Sequence, residues 1–390
     1  QLDFRSFIDE LEAEVLRSVE RVKKTDALPG ERAAAMLVGV YPSPRPEWQA
    51  SLAELRELAR TAKVRVVDEV VQQRKKSDPR TFVGKGKLED ICLQALHLGV
   101  DTLIFDHDLS PSQLNAITEL TELKVLDRTM LILDIFARRA VSQGGRVQVE
   151  LAQLRYSLPR LHKKQSGLSR LTGGIGGQGP GETKLEVDRR RAKERLARLE
   201  KAIDRLGEQR HLRRERRNIR RVPVISIVGY TNAGKSTLLN ALTGANVHTE
   251  DALFATLDPT SRRLGLPQQR EVILTDTVGF IRDLPESLIG AFRATLEELH
   301  DADLLLHVVD GSDRRYQHHL HAVDKVLCEL GVEQTPRLLV FNKADLLDEK
   351  LADRQAQVGG GIAVSAKTGH HFEALLDRCA ALLWSEESAG

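Results

Sequence analysis

Eight consecutive residues carry the clearest chemistry in this chain: Gly229, Tyr230, Thr231, Asn232, Ala233, Gly234, Lys235 and Ser236. They fit G-x-x-x-x-G-K-[ST], the pattern of a loop whose backbone N–H groups surround phosphate oxygens. Such a loop needs an apolar strand before it and a helix opening after it, because the unpaired N–H groups and dipole of a helix start favour an anion. Val222-Pro223-Val224-Ile225-Ser226-Ile227-Val228 reads as that strand, and Thr237-Leu238-Leu239-Asn240-Ala241-Leu242 opens that helix. In this setting Lys235 reaches β- and γ-phosphate oxygens, and the Ser236 hydroxyl is placed to ligate Mg²⁺.

Further pieces follow in order along the chain. Ile273-Leu274-Thr275 runs into Asp276-Thr277-Val278-Gly279, a D-x-x-G pattern whose carboxylate can hold Mg²⁺ through water. An apolar run ending at Phe341 leads into Asn342-Lys343-Ala344-Asp345, and another ending at Val364 leads into Ser365-Ala366-Lys367. Together these resemble the ordered guanine-nucleotide signatures of the P-loop GTPases. The resemblance implies that Asp345 accepts hydrogen bonds from guanine N1 and its exocyclic amine. Adenine offers neither donor, so the wrong base leaves a buried carboxylate unpaired. It also implies a first switch at Phe254, Ala255, Thr256, Leu257 and Asp258, ordered by GTP and relaxed after hydrolysis. Thr256 is then the residue that senses γ-phosphate and Mg²⁺, with Thr260 as the competing candidate. On this reading Ser236, Thr256 and Asp276 make the Mg²⁺ site, and Lys235, Thr256 and Gly279 act in hydrolysis.

Two positions bear on rate. Phe280 follows Gly279, where Ras-like enzymes place a water-orienting glutamine. A phenylalanine side chain cannot hydrogen-bond water, so backbone, another residue or a partner must position it, and slow turnover with partner stimulation is expected. Asn232 has two readings. Asparagine tolerates left-handed backbone in a tight loop, and in translation-related GTPases of similar loop pattern it helps hold K⁺ beside the phosphates.

The elements that position these motifs form regular strand–helix alternation from Val222 to about Trp384. Residues 1–140 read similarly. A helix-like stretch surrounds Leu11–Leu16, and strands are expected at 35–40, 64–67 and 102–105, with helical patterns over 47–62, 88–98 and 111–120. Alternation of this kind implies a largely parallel sheet. Between the two α/β parts, Val147, Leu151, Leu154, Leu158 and Leu161 have helical spacing, as do Leu196, Leu199, Ile203 and Leu206. The glycine-rich run 173–181 separates them, so an antiparallel helical hairpin is expected, with Pro159 bending or ending its first stem. The expected fold class is therefore α/β: an N-terminal α/β domain over 1–140, a basic helical hairpin over 141–221, and a P-loop GTPase domain over 222–390 with a mostly parallel sheet flanked by helices.

Gly173-Gly174-Ile175-Gly176-Gly177-Gln178-Gly179-Pro180-Gly181-Glu182-Thr183-Lys184-Leu185-Glu186 carries a narrower resemblance. With Phe82-Val83-Gly84-Lys85-Gly86-Lys87 and the switch run Phe254–Thr260, it is similar to the HflX-type GTPases over nearly the whole chain. This implies association with the large ribosomal subunit and its RNA, and the splitting of stalled or idle ribosomes under stress. Many members continue into a small C-terminal domain, whereas this chain reaches 390 residues soon after its last expected helix. Help with ribosome assembly or RNA modification, or GTP-gated RNA binding with incidental hydrolysis, remain the alternatives. Gly84-Lys85-Gly86-Lys87 has two readings: binding of phosphate, from RNA or from a second nucleotide as the resemblance suggests, and a plain turn, which is expected because phosphate-loop spacing is lacking. His318, His319 and His321 are expected on an exposed helix surface, and Trp48 and Trp384 at domain edges.

Charge supports a polyanionic partner. From Arg155 to Arg221 there are 21 Lys and Arg against 8 Asp and Glu, a balance of +13. The whole chain carries +2, so the remainder carries −11. Concentrated positive charge of this kind points to nucleic acid more than to a merely solvated helix. Cys92, Cys328 and Cys379 have no metal-ligand spacing and read as free thiols. No apolar run reaches the roughly 18 residues of a membrane span. Gln1-Leu2-Asp3-Phe4 lacks the basic start of a secretory signal. A soluble, cytoplasmic monomer is expected, with peripheral membrane association left open.

Overall fold

Residues 33–42, 46–121, 123–160, 184–218, 222–244, 253–257, 260–282, 288 and 297–384 are described by the computed structural model. The expected helix around Leu11, the glycine-rich run 173–181 and Asp258 lie outside them. Contacts divide the chain into two units, residues 1–135 with 153–194 and residues 136–152 with 195–390.

In the first unit, β1 (Ala34–Tyr41) is buried along its whole length. It pairs in parallel with β2 (Arg65–Gln73) on one side and β3 (Thr102–Phe105) on the other, and β3 pairs in parallel with β4 (Lys124–Asp127). Parallel pairs require crossovers. These are α1 (Pro46–Thr61), α2 (Lys85–Leu98) and α3 (Pro111–Thr121), and α4 (Arg128–Arg139) follows β4. Met36, Val38, Ile91, Leu103 and Phe105 form the centre of this core. Gly84-Lys85-Gly86-Lys87 opens α2 rather than forming a free turn, with Gly84 at the N-cap and its N–H held by Gln72 Oε1 at 2.9 Å.

Charged groups are buried where the strands end. Asp106 accepts from Tyr41 and Ser51 hydroxyls and from Arg128 at 2.9 Å, and Arg128 also pairs with Glu54 at 3.0 Å. Asp127 accepts from the Tyr156 hydroxyl at 2.5 Å and from Met130 N–H at 2.8 Å. Burial raises the pKa of Asp127, and the Tyr156 hydroxyl opposes that rise. Removing either member of the buried Asp106–Arg128 pair costs about 3–5 kcal/mol, because the other charge is stranded.

The basic segment supplies two helices, α5 (Gln143–Ser157) and α6 (Lys184–Asn218). Within the second unit they run antiparallel. Glu150 receives both a 2.6 Å and a 2.8 Å bond from Arg195, while Gly144 lies against Leu206. Leu151 and Leu199 are buried. A 3₁₀ turn at Leu158–Arg160, containing Pro159, follows α5. Arg189, Arg190 and Arg191 are exposed.

The second unit also contains a six-stranded sheet in the order β10-β9-β8-β5-β7-β6. Its strands are β5 (Val224–Gly229), β6 (Thr260–Leu266), β7 (Arg270–Asp276), β8 (Leu304–Asp310), β9 (Arg337–Asn342) and β10 (Ile362–Ala363). All neighbours are parallel except β6 and β7. Among the described residues, the helices flanking this sheet are α7 (Lys235–Thr243), α8 (Tyr316–Glu329), α9 (Glu349–Val358) and α10 (Phe372–Leu383). Ile225, Ile227, Leu238, Leu306 and Val340 fill the core between them. At the β10 edge, Arg378 donates to Gly361 O at 3.0 Å, and His371 Nδ1 lies 3.1 Å from Ala363 O.

His307 stands out in this core. It is 1% exposed on β8, between Val228 and Leu339, and its Nδ1 has no partner among the described residues. Burial, with Arg337 and Lys235 adding to it, lowers its pKa to about 3. The folded ring is therefore neutral, and the unfolded chain takes up the proton first as pH falls. Stability is full above the ordinary histidine pKa and is lost progressively down to pH 3. By pH 4 the loss from this one group is about 3 kcal/mol. Denaturant unfolding of His307→Leu at pH 7 and pH 4 should show a pH penalty smaller than the parent's by that amount. An equal penalty in both would refute it.

Candidate functional site

The loop Gly229–Ser236 joins β5 to α7, where the parallel sheet opens at its carboxyl edge, the usual place for a ligand in such folds. Two of its residues must be glycine. Gly229 has φ +150°, and a Cβ there would lie 2.2 Å from Val308 O. Gly234 has φ +87°, and a Cβ would meet Asn342 Nδ2 at 2.3 Å. Asn232 adopts left-handed backbone at φ 61°, and its side chain is exposed.

Lys235 is 6% exposed and donates to Tyr230 O at 2.9 Å, which curls the loop around its ammonium group. Burial lowers its pKa to about 8, against the pull of Asp276. Asp276 is fully buried at the end of β7. Burial raises its pKa, with Lys235 and the Ser236 and Thr256 hydroxyls opposing. Asp276 Oδ2 accepts from Ser236 Oγ at 2.6 Å, and Ser236 Oγ lies 2.6 Å from Thr256 Oγ1. Asp276 Oδ1 is buried without a partner among the described residues. Two hydroxyls and a carboxylate with an unused oxygen are a donor set suited to a hard divalent cation such as Mg²⁺.

Thr256 and Thr260 thus separate. Thr256 reaches Ser236, whereas Thr260 begins β6 opposite Asp276 in the ladder. Phe254 holds left-handed backbone at φ 55°, and its buried ring meets Phe136 edge-on at 4.6 Å. Ala255 lines the same cleft as Thr256, and Leu257 is buried. After Asp276, the Thr277 hydroxyl donates to Ile227 O at 2.7 Å, and Val278 is buried. Gly279 packs so closely on the loop that a Cβ would come within 2.9 Å of Thr231 Cγ2 and 3.0 Å of Lys235 Nζ. Phe280 buries its ring to 2% exposure while its backbone joins the loop, donating to Gly229 O at 3.1 Å and accepting from Thr231 N–H at 2.7 Å.

The remaining motifs meet at Asn342. Its side chain donates to Ala233 O and accepts from Ala366 N–H, both at 2.9 Å. Lys343, in left-handed backbone at φ 63°, pairs with Asp310 at 2.7 Å, and Ala344 N–H bonds Val364 O at 3.1 Å. Asp345 accepts from the Ser365 hydroxyl at 2.6 Å, and Lys367 is exposed. The structure therefore brings the phosphate-type loop, D-x-x-G, N-K-A-D and S-A-K together.

Two features were not evident from sequence. The Tyr230 ring stacks on His319 at 4.0 Å with an 11° interplanar angle, and its hydroxyl accepts from Arg282 N–H at 2.8 Å. His318 and His321 are exposed as expected, but His319 is half-buried because its ring covers Tyr230. Trp48 stacks on Tyr41, and Trp384 lies beneath the Arg270 guanidinium at 4.5 Å.

Three family models match in succession: GTP-binding GTPase N-terminal over residues 49–137, GTP-binding GTPase Middle Region over 139–217, and 50S ribosome-binding GTPase over 224–343. The chain is 50% identical over 323 residues to GTPase HflX of Caldanaerobacter subterraneus subsp. tengcongensis, covering 83% of this chain and 75% of that one. It is 46% identical over 352 residues to GTPase HflX of Lacrimispora saccharolytica, covering 90% and 83%. With GTPase HflX of Escherichia coli (strain K12) the identity is 44% over 351 residues, covering 88% and 82%. Similarity of this depth over most of each sequence, on top of the assembled motifs, shows that the chain belongs to the HflX family of GTPases, enzymes that hydrolyse GTP to GDP and phosphate.

Proposed function

We propose that this GTPase acts in the cytoplasm on the large ribosomal subunit, grips its RNA in the GTP state, and couples hydrolysis to the splitting or recycling of ribosomes under stress. The observation that carries this reading is the concentration of positive charge between Arg155 and Arg221, with Arg189, Arg190 and Arg191 exposed on one helix. Phosphate contacts from arginine supply affinity and position without reading sequence. The match of residues 224–343 to the 50S ribosome-binding GTPase model supports the same partner.

In the cleft, the residues of 229–236 cradle the phosphates, Lys235 neutralises charge on the β- and γ-groups, and Asp345 selects guanine. The hydrogen bond from Ser365 to Asp345 and the pairing of Lys343 with Asp310 hold the base-side residues in place. Ser236 and Thr256, with Asp276 acting through water, would hold Mg²⁺, which would supply charge neutralisation at the phosphates when bound. Thr256 ties the first switch to the γ-phosphate, because its hydroxyl already lies beside Ser236. Phe280 is tucked into the fold, so positioning of the reacting water falls to other groups and to the partner. Asn232 sits at a left-handed position in the loop with an exposed side chain, which would supply an oxygen to K⁺ beside the phosphates.

The deciding experiment is single-turnover GTP hydrolysis with and without purified large subunits, which should raise the rate severalfold or more. Replacing Arg189, Arg190 and Arg191 together with alanine should weaken subunit binding, flatten its salt dependence and reduce stimulation, since fewer counterions are released. GTP affinity without subunits should be unchanged. Full binding with the parental salt slope would remove the helix from the interface. Asp345→Asn should lower GTP affinity by about 10²-fold or more and shift preference towards xanthine nucleotides. Calorimetry showing unchanged GTP affinity would refute the base-selecting role. Hydrolysis should run faster in K⁺ than in Na⁺ at equal ionic strength, and indifference to the exchange would leave Asn232 a conformational role only.

A further inference from the structure

Phe280 creates a chemical deficit. The position after Gly279 is occupied by a ring that cannot hydrogen-bond, and that ring is buried at 2% exposure. Its backbone is also committed, since its N–H bonds Gly229 O and its carbonyl accepts from Thr231 N–H. The Phe280 side chain has no polar group to orient a water molecule and its backbone N–H is already used, yet in-line attack requires a water to be held.

One side chain at the same place has unused capacity. Thr231 is 6% exposed, lines the cleft, and its Oγ1 has no hydrogen-bond partner among the described residues. Burying a hydroxyl without a partner is unfavourable, so such groups are uncommon and mark places where a partner arrives from outside the protein. The residue is not loosely placed. Its backbone N–H is fixed by Phe280 O at 2.7 Å, and its Cγ2 and Cα lie 2.9 Å and 3.0 Å from where a Cβ on Gly279 would stand. Lys235 Nζ lies 3.0 Å from that same point. Gly279, Thr231 and the lysine that meets the γ-phosphate therefore converge around one small volume.

We propose that the Thr231 hydroxyl is the catalytic side chain that positions the attacking water, in place of the glutamine that Phe280 replaces. This rests on the reading of the cleft as the GTP site. A threonine hydroxyl has one donor and two acceptor positions, so it accepts from the water while donating to a γ-phosphate oxygen. The water oxygen forms the new bond to γ-phosphorus as the bridging bond to GDP breaks. One water proton stays on the phosphate product, the other passes through a γ-phosphate oxygen to solvent, and the threonine ends unchanged. A hydrogen bond that matures in the transition state alters rate more than affinity.

Thr231→Val keeps the shape and removes the hydroxyl, whereas Thr231→Ser keeps the hydroxyl and removes the methyl. Single-turnover hydrolysis by the full chain, without ribosomes, should fall about 10- to 100-fold in the valine variant. Affinity for GDP and for a non-hydrolysable GTP analogue should stay within about twofold, and serine should recover most of the rate. Parental turnover in Thr231→Val would overturn the assignment. So would a valine loss shared equally between rate and affinity, or a serine variant as slow as valine, since either would mean that Thr231 only packs the loop. A parent chain that failed to bind GTP at all would overturn the reading of the cleft, and the assignment with it.

Discussion

The site is held together by one carboxamide. Asn342 is 2% exposed at the end of β9, and its two polar atoms span loops that are far apart in sequence. Its NH₂ fixes Ala233 of the phosphate-type loop, and its carbonyl fixes Ala366 beyond β10. A buried amide can satisfy both groups at once only when both loops are in register with it, so the bond acts as a gauge of assembly. Aspartate could not donate to Ala233 O, and leucine would leave that carbonyl and Ala366 N–H unpaired. The same side chain presses on Gly234, which explains why no Cβ is tolerated there. Three motifs that read as separate signatures are mechanically one object.

Beneath that clamp lies an electrostatic arrangement that is costly without a ligand. Lys235 and Asp276 are both removed from water, each is driven by burial towards its neutral form, and each partly holds the other charged. The chain tolerates this because the parallel strands end here and the helix start of α7 faces the same cleft. A nucleotide with its cation brings the charges that the buried groups lack. The serine and threonine hydroxyls are already gathered beside Asp276, each held within 2.6 Å of a neighbouring oxygen.

Much of this was legible in the chain because the motifs report backbone requirements. Gly229, Gly234 and Lys235 are readable since few residue types satisfy those conformations and that charge. The strands β1, β3 and β5 are readable because both faces are buried and the runs are apolar apart from Thr102 and Ser226. Other parts depend on distant neighbours. β4 is only four residues and alternates in burial, and β2 extends well beyond its apolar start because β1 pairs with it as far as Gln73, skipping Val67 at a bulge. The stack of Tyr230 on His319, and the demotion of Thr260 to a strand residue, follow from tertiary placement that no local spacing records. The Gly84-Lys85-Gly86-Lys87 turn became a helix start because Gln72 on β2 holds Gly84.

The short strand β10 closes one edge of the nucleotide-side sheet, and its outward carbonyls at Gly361 and Ala363 are occupied by Arg378 and His371. An open edge is a template on which another polypeptide can add a strand. Here an incoming chain would first have to displace a guanidinium and an imidazole from the two carbonyls it needs. The two-residue length offers it little in return. That edge of the sheet is thereby guarded against strand addition by another copy, so crowding of many copies does not readily turn it into a seed for aggregates.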